Sequence, residues 1–158
     1  MEERMANSNT GGGSNNRHVR DLMTSNPETV SEKDSIRDVA RIMKNQDTGI
    51  VPVVDGRKII GLITDRDIVV RGIAEGRNLD DVRVNEIMTK SVRTVREDED
   101  LSDVLRTMGK AEVRRVPVVN NNDELVGIVS IADIASNTNQ SGKIGKAVED
   151  ISEAPPNN

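Results

Sequence analysis

The chain has no cysteine, no phenylalanine, tyrosine or tryptophan, and one histidine, His18, in 158 residues. Without thiols there is no disulfide, no zinc–thiolate centre and no thiol nucleophile. A single histidine cannot furnish a catalytic triad or the usual metal site. No phosphate loop of the GxxxxGK[ST] type occurs either, so the inventory argues against an enzyme and leaves catalytic and metal residues unassigned. Lacking aromatic rings, the core must be built from Ile, Leu, Val, Met and Ala, and the bases of a single strand would find no stacking platform. A purine can still be gripped between aliphatic side chains. No apolar run approaches the length of a membrane span, and MEERMANSNTGGG has no secretory h-region, so a cytoplasmic protein without a membrane partner is expected. A net charge of −5, with 31% charged residues, gives no sign of a nucleic-acid partner.

What is present is a repetition. Val19 to Val54, VRDLMTSNPETVSEKDSIRDVARIMKNQDTGIVPVV, aligns without a gap to Val84 to Val119, VNEIMTKSVRTVREDEDLSDVLRTMGKAEVRRVPVV, and 14 of the 36 positions are identical. The offset is 65 residues, from Met23 to Met88. After a one-residue insertion the copies close alike, GLITDRDI from Gly61 and GIVSIADI from Gly127. Units this small cannot each bury a good core, so they should pack on each other and leave any ligand site in the cleft between them.

The periods change in a fixed order within each copy. Thr29-Val30 and Thr94-Val95 read as short strands. Ile36, Val39, Ala40 and Met43, like Leu101, Val104, Leu105 and Met108, form the stripe of an amphipathic helix. Apolar runs Ile50–Val54 and Lys58–Ile63 are joined through Asp55-Gly56, a strong hairpin signal, and Arg115–Val119 and Glu124–Val129 through a looser turn at Asn120–Asp123. A second helix follows Thr64 and Ser130, and the first of these stops at Gly76. The chain therefore divides into a flexible tail over 1–17, a first repeat over 18–76, a linker over 77–83, a second repeat over 84–136, and a weakly ordered polar tail over 137–158 with a short helix near Lys146–Ile151. His18 is expected to be solvent-exposed.

This β-α-β-β-α order, opened by Met-Thr, carrying the V-P-V strand and closed by G-h-h-[ST]-x-x-D, resembles the CBS domain, which occurs in tandem as the Bateman module. The resemblance covers 18–136. AEVRRVPVVNNNDELVGIVSIADI resembles the last repeat of the regulatory gamma subunit of AMP-activated kinase, and GLITDRDIVVRGIAEG is similar to small stand-alone two-repeat proteins. It implies an α+β fold in which two small sheets with helices pack by pseudo-twofold symmetry. Two clefts between them would take adenosine-containing ligands. It also implies pairing of modules into disc-like homodimers, and sensing rather than chemistry.

On that resemblance Thr64 and Asp67, and Ser130 and Asp133, are candidate ligand residues: the carboxylate would accept from ribose hydroxyls, and the hydroxyl would face phosphate. The same [ST]-x-x-D spacing is also a capping box, worth about 1 kcal/mol without any ligand. Arg114 and Arg115 match a His-Arg pair that contacts phosphate in the kinase subunit, and guanidinium groups suit such an anion. Solvation, or pairing with Glu112, is the alternative for them. The first copy has Gly49 and Ile50 there, so only Arg66 could reach phosphate, and the second cleft is expected to be the stronger. The backbone of Ile50–Pro52 and Arg115–Pro117, including Val51 and Val116, would read the adenine edge. The opposite copy's opening segments, Met88–Thr94 and Met23–Thr29, ending in Thr94 and Thr29, would do the same. The implied function is a regulatory module for AMP, ADP or ATP, needing no cofactor and signalling to an effector protein. A ligand-free interaction dimer and an S-adenosylmethionine binder remain as alternatives.

Overall fold

The computed structural model describes residues 17–137 and 141–152. The tail expected over 1–17 lies, apart from Arg17, outside the described residues. In chain order the elements are β1 (Thr24–Ser25), α1 (Ile36–Gln46), β2 (Ile50–Asp55), β3 (Lys58–Thr64), α2 (Asp65–Asp67) and a π-helical turn (Ile68–Ile73). Then follow α3 (Val84–Ile87), β4 (Val95–Arg96), α4 (Leu101–Ala111), β5 (Arg115–Val119), β6 (Leu125–Ser130), α5 (Ile131–Asn137) and α6 (Ser141–Ser152).

The stripes read from the sequence are the buried faces of α1 and α4. Ile36 and Val39 are buried in one, and Leu101, Val104, Leu105 and Met108 in the other, each beneath its own hairpin. Ser35 caps α1 by accepting from the Asp38 N–H at 3.2 Å. The hairpins form where expected: Asp55 pairs with Lys58 around Gly56, whose φ of +62° suits the turn. Gly76, at φ +71°, follows the turn at Ile68–Ile73 and ends it.

The repeats do not each complete their own sheet. β1, from the first copy, pairs with β6 of the second, Thr24 opposite Ile128. Thr89, from the second copy, exchanges two backbone bonds of 2.8 and 2.9 Å with Leu62 in β3. The helix starts are joined the same way: Ser35 bridges to Arg83, and Asp100 to His18. The cores follow suit. Val84, Ile87 and Met88 lie in the cluster formed by the first hairpin and α1, while Val19 lies in the cluster formed by the second hairpin and α4. Each copy thus closes the core of the other, and the exchange carries the pseudo-twofold symmetry. Gly61 and Gly127 make room for it: a Cβ on Gly127 would lie 2.9 Å from the Thr24 carbonyl, and one on Gly61 the same distance from that of Thr89.

Two expectations change. His18 is half-buried, with Nδ1 2.6 Å from the Asp98 carbonyl, because it starts the segment that closes the second core. The C-terminal region forms a helix over Ser141–Ser152, longer than the stretch near Lys146–Ile151, and it packs on α4 with Ala147 and Ile151 buried. Gly109 and Ala147 permit that approach; a Cβ on Gly109 would lie 3.7 Å from the Ala147 Cα.

Candidate functional site

β5 and β6 place Arg115 directly opposite Ser130, and Ser130 opens α5. The Ser130 N–H donates to Asp133 Oδ2 at 2.9 Å, and the Asp133 N–H donates to Ser130 Oγ at 3.0 Å. The Ile131 N–H donates to the Arg114 carbonyl at 3.0 Å, which fixes the arginine pair beside this turn. Arg114 and Arg115 are exposed. Val116 is buried under the strand. The backbone of Arg114 and Arg115 thus runs beside the turn that carries the Ser130 hydroxyl and the Asp133 carboxylate, whose Oδ1 has no hydrogen-bond donor among the described residues.

The first cleft has the same frame and different contents. Ile50 stands opposite Thr64, Val51 is buried, and Thr64 and Asp67 form the reciprocal box with two bonds of 3.0 Å. Here the carboxylate is committed. The Thr89 hydroxyl donates to both Asp67 oxygens at 3.2 Å, Arg71 Nε lies 3.8 Å from Oδ1, and Asp67 is only 8% exposed. Arg71 Nη1 also donates to the carbonyls of Ile87 and Met88 at 3.3 and 3.2 Å, at the end of α3. Arg66 is exposed on the same turn.

Thr29 and Thr94 sit elsewhere. Thr94 lines a cavity of about 300 Å³ with Lys58, Ile60, Lys90 and Val119, near the hairpin end of β3 rather than its Thr64 end. Thr29 is exposed just before Val30, which bridges to Val53. Neither joins the boxes, because the opening segments run along β3 and β6 away from them. Arg71 is not among the residues singled out from the sequence, and Thr89 is there only as part of the opening segment Met88–Thr94. The spacing of Arg71 four residues after Asp67 is the available signal for an ion pair. Nearby, the Arg83 N–H and then the Arg77 guanidinium hold the Glu86 carboxyl below its usual range, which anchors α3 and with it the Met88–Thr89 segment. Among the described residues no three His, Asp or Glu side chains are grouped to hold a metal, and no helix is long and apolar enough to cross a membrane.

The CBS domain family matches residues 19–72 and 84–138. The CBS domain-containing protein YhcV of Bacillus subtilis is 36% identical over 134 residues, spanning 85% of this chain and 94% of that protein. The fold is similar to that of hypoxic response protein I, solved with two coordinated zinc ions (TM-score 0.71, 32% identity, 77% of this chain and 99% of the other); the curated protein of that name is from Mycobacterium tuberculosis. It is also similar to the CBS domain pair of protein MJ0100, solved with 5′-methylthioadenosine and S-adenosylmethionine (TM-score 0.67, 33% identity, 76% of this chain and 98% of the other). With two matched domains, exchanged opening segments and paired capping boxes, the chain belongs to the CBS-domain family and folds as a tandem pair, a Bateman module.

Proposed function

We propose that the protein is a regulatory module that takes an adenosine-containing nucleotide, AMP, ADP or ATP, in its second cleft and passes its occupancy to a partner protein. The observation that carries this reading is that Arg114 and Arg115 lie beside the turn of Asp133, whose Oδ1 accepts no hydrogen bond among the described residues. A ribose can be held by the carboxylate and a phosphate by the arginine pair. The adenosine-type ligands of the MJ0100 pair support the ligand class. Occupancy would stabilise one arrangement of the two repeats, and that differential is what a partner would read. The module works as a homodimer in the cytoplasm, catalyses nothing and needs no cofactor or nucleic acid. Complete capping boxes in both copies favour a second reading, a ligand-free interaction module.

Because the chain has no Phe, Tyr or Trp, its near-ultraviolet spectrum separates the two. A purine band that passes into the filtrate on unfolding supports the nucleotide reading, and mass spectrometry names the ligand. With no band, titration with AMP, ATP and S-adenosylmethionine follows. Thermal stabilisation by AMP or ATP that is lost in Asp133→Ala and Arg115→Ala sustains the proposal. Stabilisation by S-adenosylmethionine alone moves it to that ligand, and silence with all three leaves the interaction module.

A further inference from the structure

The two copies provide a comparison inside one chain. Arg114 of the second copy corresponds to Gly49 of the first, and Ile131 to Asp65. The backbone is alike: the Asp65 N–H donates to the Gly49 carbonyl at 2.9 Å, and the Ile131 N–H to the Arg114 carbonyl at 3.0 Å. The side chains are not. The Asp65 carboxylate fills the space that a side chain at 49 would enter, since a Cβ there would lie 2.8 Å from Oδ2 and 3.1 Å from Cγ. The Arg66 N–H steadies it, donating to Oδ1 at 2.8 Å. A carboxylate therefore stands at the root of the position from which the second cleft extends a guanidinium. Asp67, two residues on, is already held by Thr89 and Arg71, and Arg66 is exposed on the same turn.

We propose that Gly49 and Asp65 are specificity-determining residues that bar phosphate from the first cleft, so that the chain takes one phosphate-bearing nucleotide, in the second. The inference rests on the nucleotide reading above and deepens it. A phosphate entering the first cleft meets the Asp65 carboxylate where the second copy has no charge of that sign, and like charge so placed discriminates strongly. In place of a second ligand, the first copy turns its ribose-type carboxylate inward to hold Thr89 and Arg71. One motif serves binding in one copy and the joint between the repeats in the other.

The test rebuilds the first cleft on the pattern of the second. Calorimetric titration with AMP, and with adenosine as the phosphate-free probe, is carried out on the wild type and on the variant Gly49→Arg/Ile50→Arg/Asp65→Ile. Wild type should bind one AMP per chain and the variant two, with adenosine binding unchanged. If the triple variant does not fold, Asp65→Asn removes the repulsion without added bulk and should admit AMP weakly to the first cleft. The reverse change, Arg114→Gly/Ile131→Asp, uses a combination this backbone already carries and should weaken AMP binding by about tenfold or more. Two AMP per wild-type chain, or no gain in the rebuilt cleft, overturns the inference. If wild type binds no AMP, the nucleotide reading of the second cleft fails, and the gain or its absence in the rebuilt first cleft still decides this one.

Discussion

Asp67 and Asp133 occupy the same place in the two copies and do different work. Asp133 bonds within its own turn, whereas Asp67 also receives Thr89 and lies against Arg71, both bonded to the opening segment of the second copy or part of it. Removing the Asp67 side chain unmakes a cap and leaves the half-buried Thr89 hydroxyl without its acceptor, at a cost of about 2 kcal/mol. Removing Asp133 costs about 1 kcal/mol, the cap alone. Urea denaturation without nucleotide should therefore rank Asp67→Ala below Asp133→Ala, while nucleotide-induced stabilisation should be lost only in the latter. Equal destabilisation of the two would mean that the Thr89 and Arg71 contacts contribute nothing. The boxes were legible because [ST]-x-x-D is a local pattern. Thr89 is 22 residues from Asp67, and no local pattern announces a contact formed by another repeat's chain.

The same distinction governs the elements. Hairpins, amphipathic helices and their stops follow from spacing, so α1, α4, β2, β3, β5 and β6 were readable. The exchange of opening segments was not, because Thr24-Ser25 and Thr89 are too short to carry a period and find their partners only across the pseudo-twofold axis. One trace of it lay in the sequence: the glycine that opens each closing motif. At Gly127 an added Cβ meets the Thr24 carbonyl at 2.9 Å, and the Met23 sulfur closer still. The sulfur can swing aside but the carbonyl belongs to the β1–β6 pairing. Gly127→Ala should therefore destabilise the protein by about 1–3 kcal/mol, the usual range for overpacking. It should also raise amide exchange at Thr24–Asn26. An alanine variant as stable as wild type would show that the opening segment yields freely. The C-terminal helix was underestimated for a related reason: its polar composition suggested a tail, and the small residues Gly109 and Ala147 that let it dock lie on different elements.

At the scale of the molecule the question is why the two halves choose each other. A repeat that borrows its neighbour's opening segment could equally borrow from a second copy of itself. The hairpin tips meet on the pseudo-twofold axis, where Lys58 bridges to Glu124, the Leu125 N–H donates to the Arg57 carbonyl at 2.9 Å, and Lys58 Nζ donates to the Asn122 carbonyl. Arg57 Nε lies 3.7 Å from the Glu124 carboxylate. Basic Arg57-Lys58 thus faces acidic Asp123-Glu124, and two first repeats would set cation against cation, two second repeats acid against acid. Like charges placed opposite one another disfavour both self-pairings. Fragments 17–83 and 84–152, produced separately, should each lack cooperative unfolding and should regain it as a 1:1 complex on mixing. Salt should weaken that complex by screening the tips. Acid should do so too: the Asn120 side-chain amide and then the nearby Arg57 and Lys58 hold the Glu124 carboxyl below its usual range. A depressed folded pKa contributes stability that is present above the unfolded value and lost as pH falls through the folded one. Circular dichroism melts of each fragment and of the mixture, with sedimentation to count chains, decide the matter. A fragment that melts cooperatively as a monomer would show that the exchanged segments are ornaments on two self-sufficient domains. One that pairs with itself as readily as with its complement would show that tip charge does not select the partner.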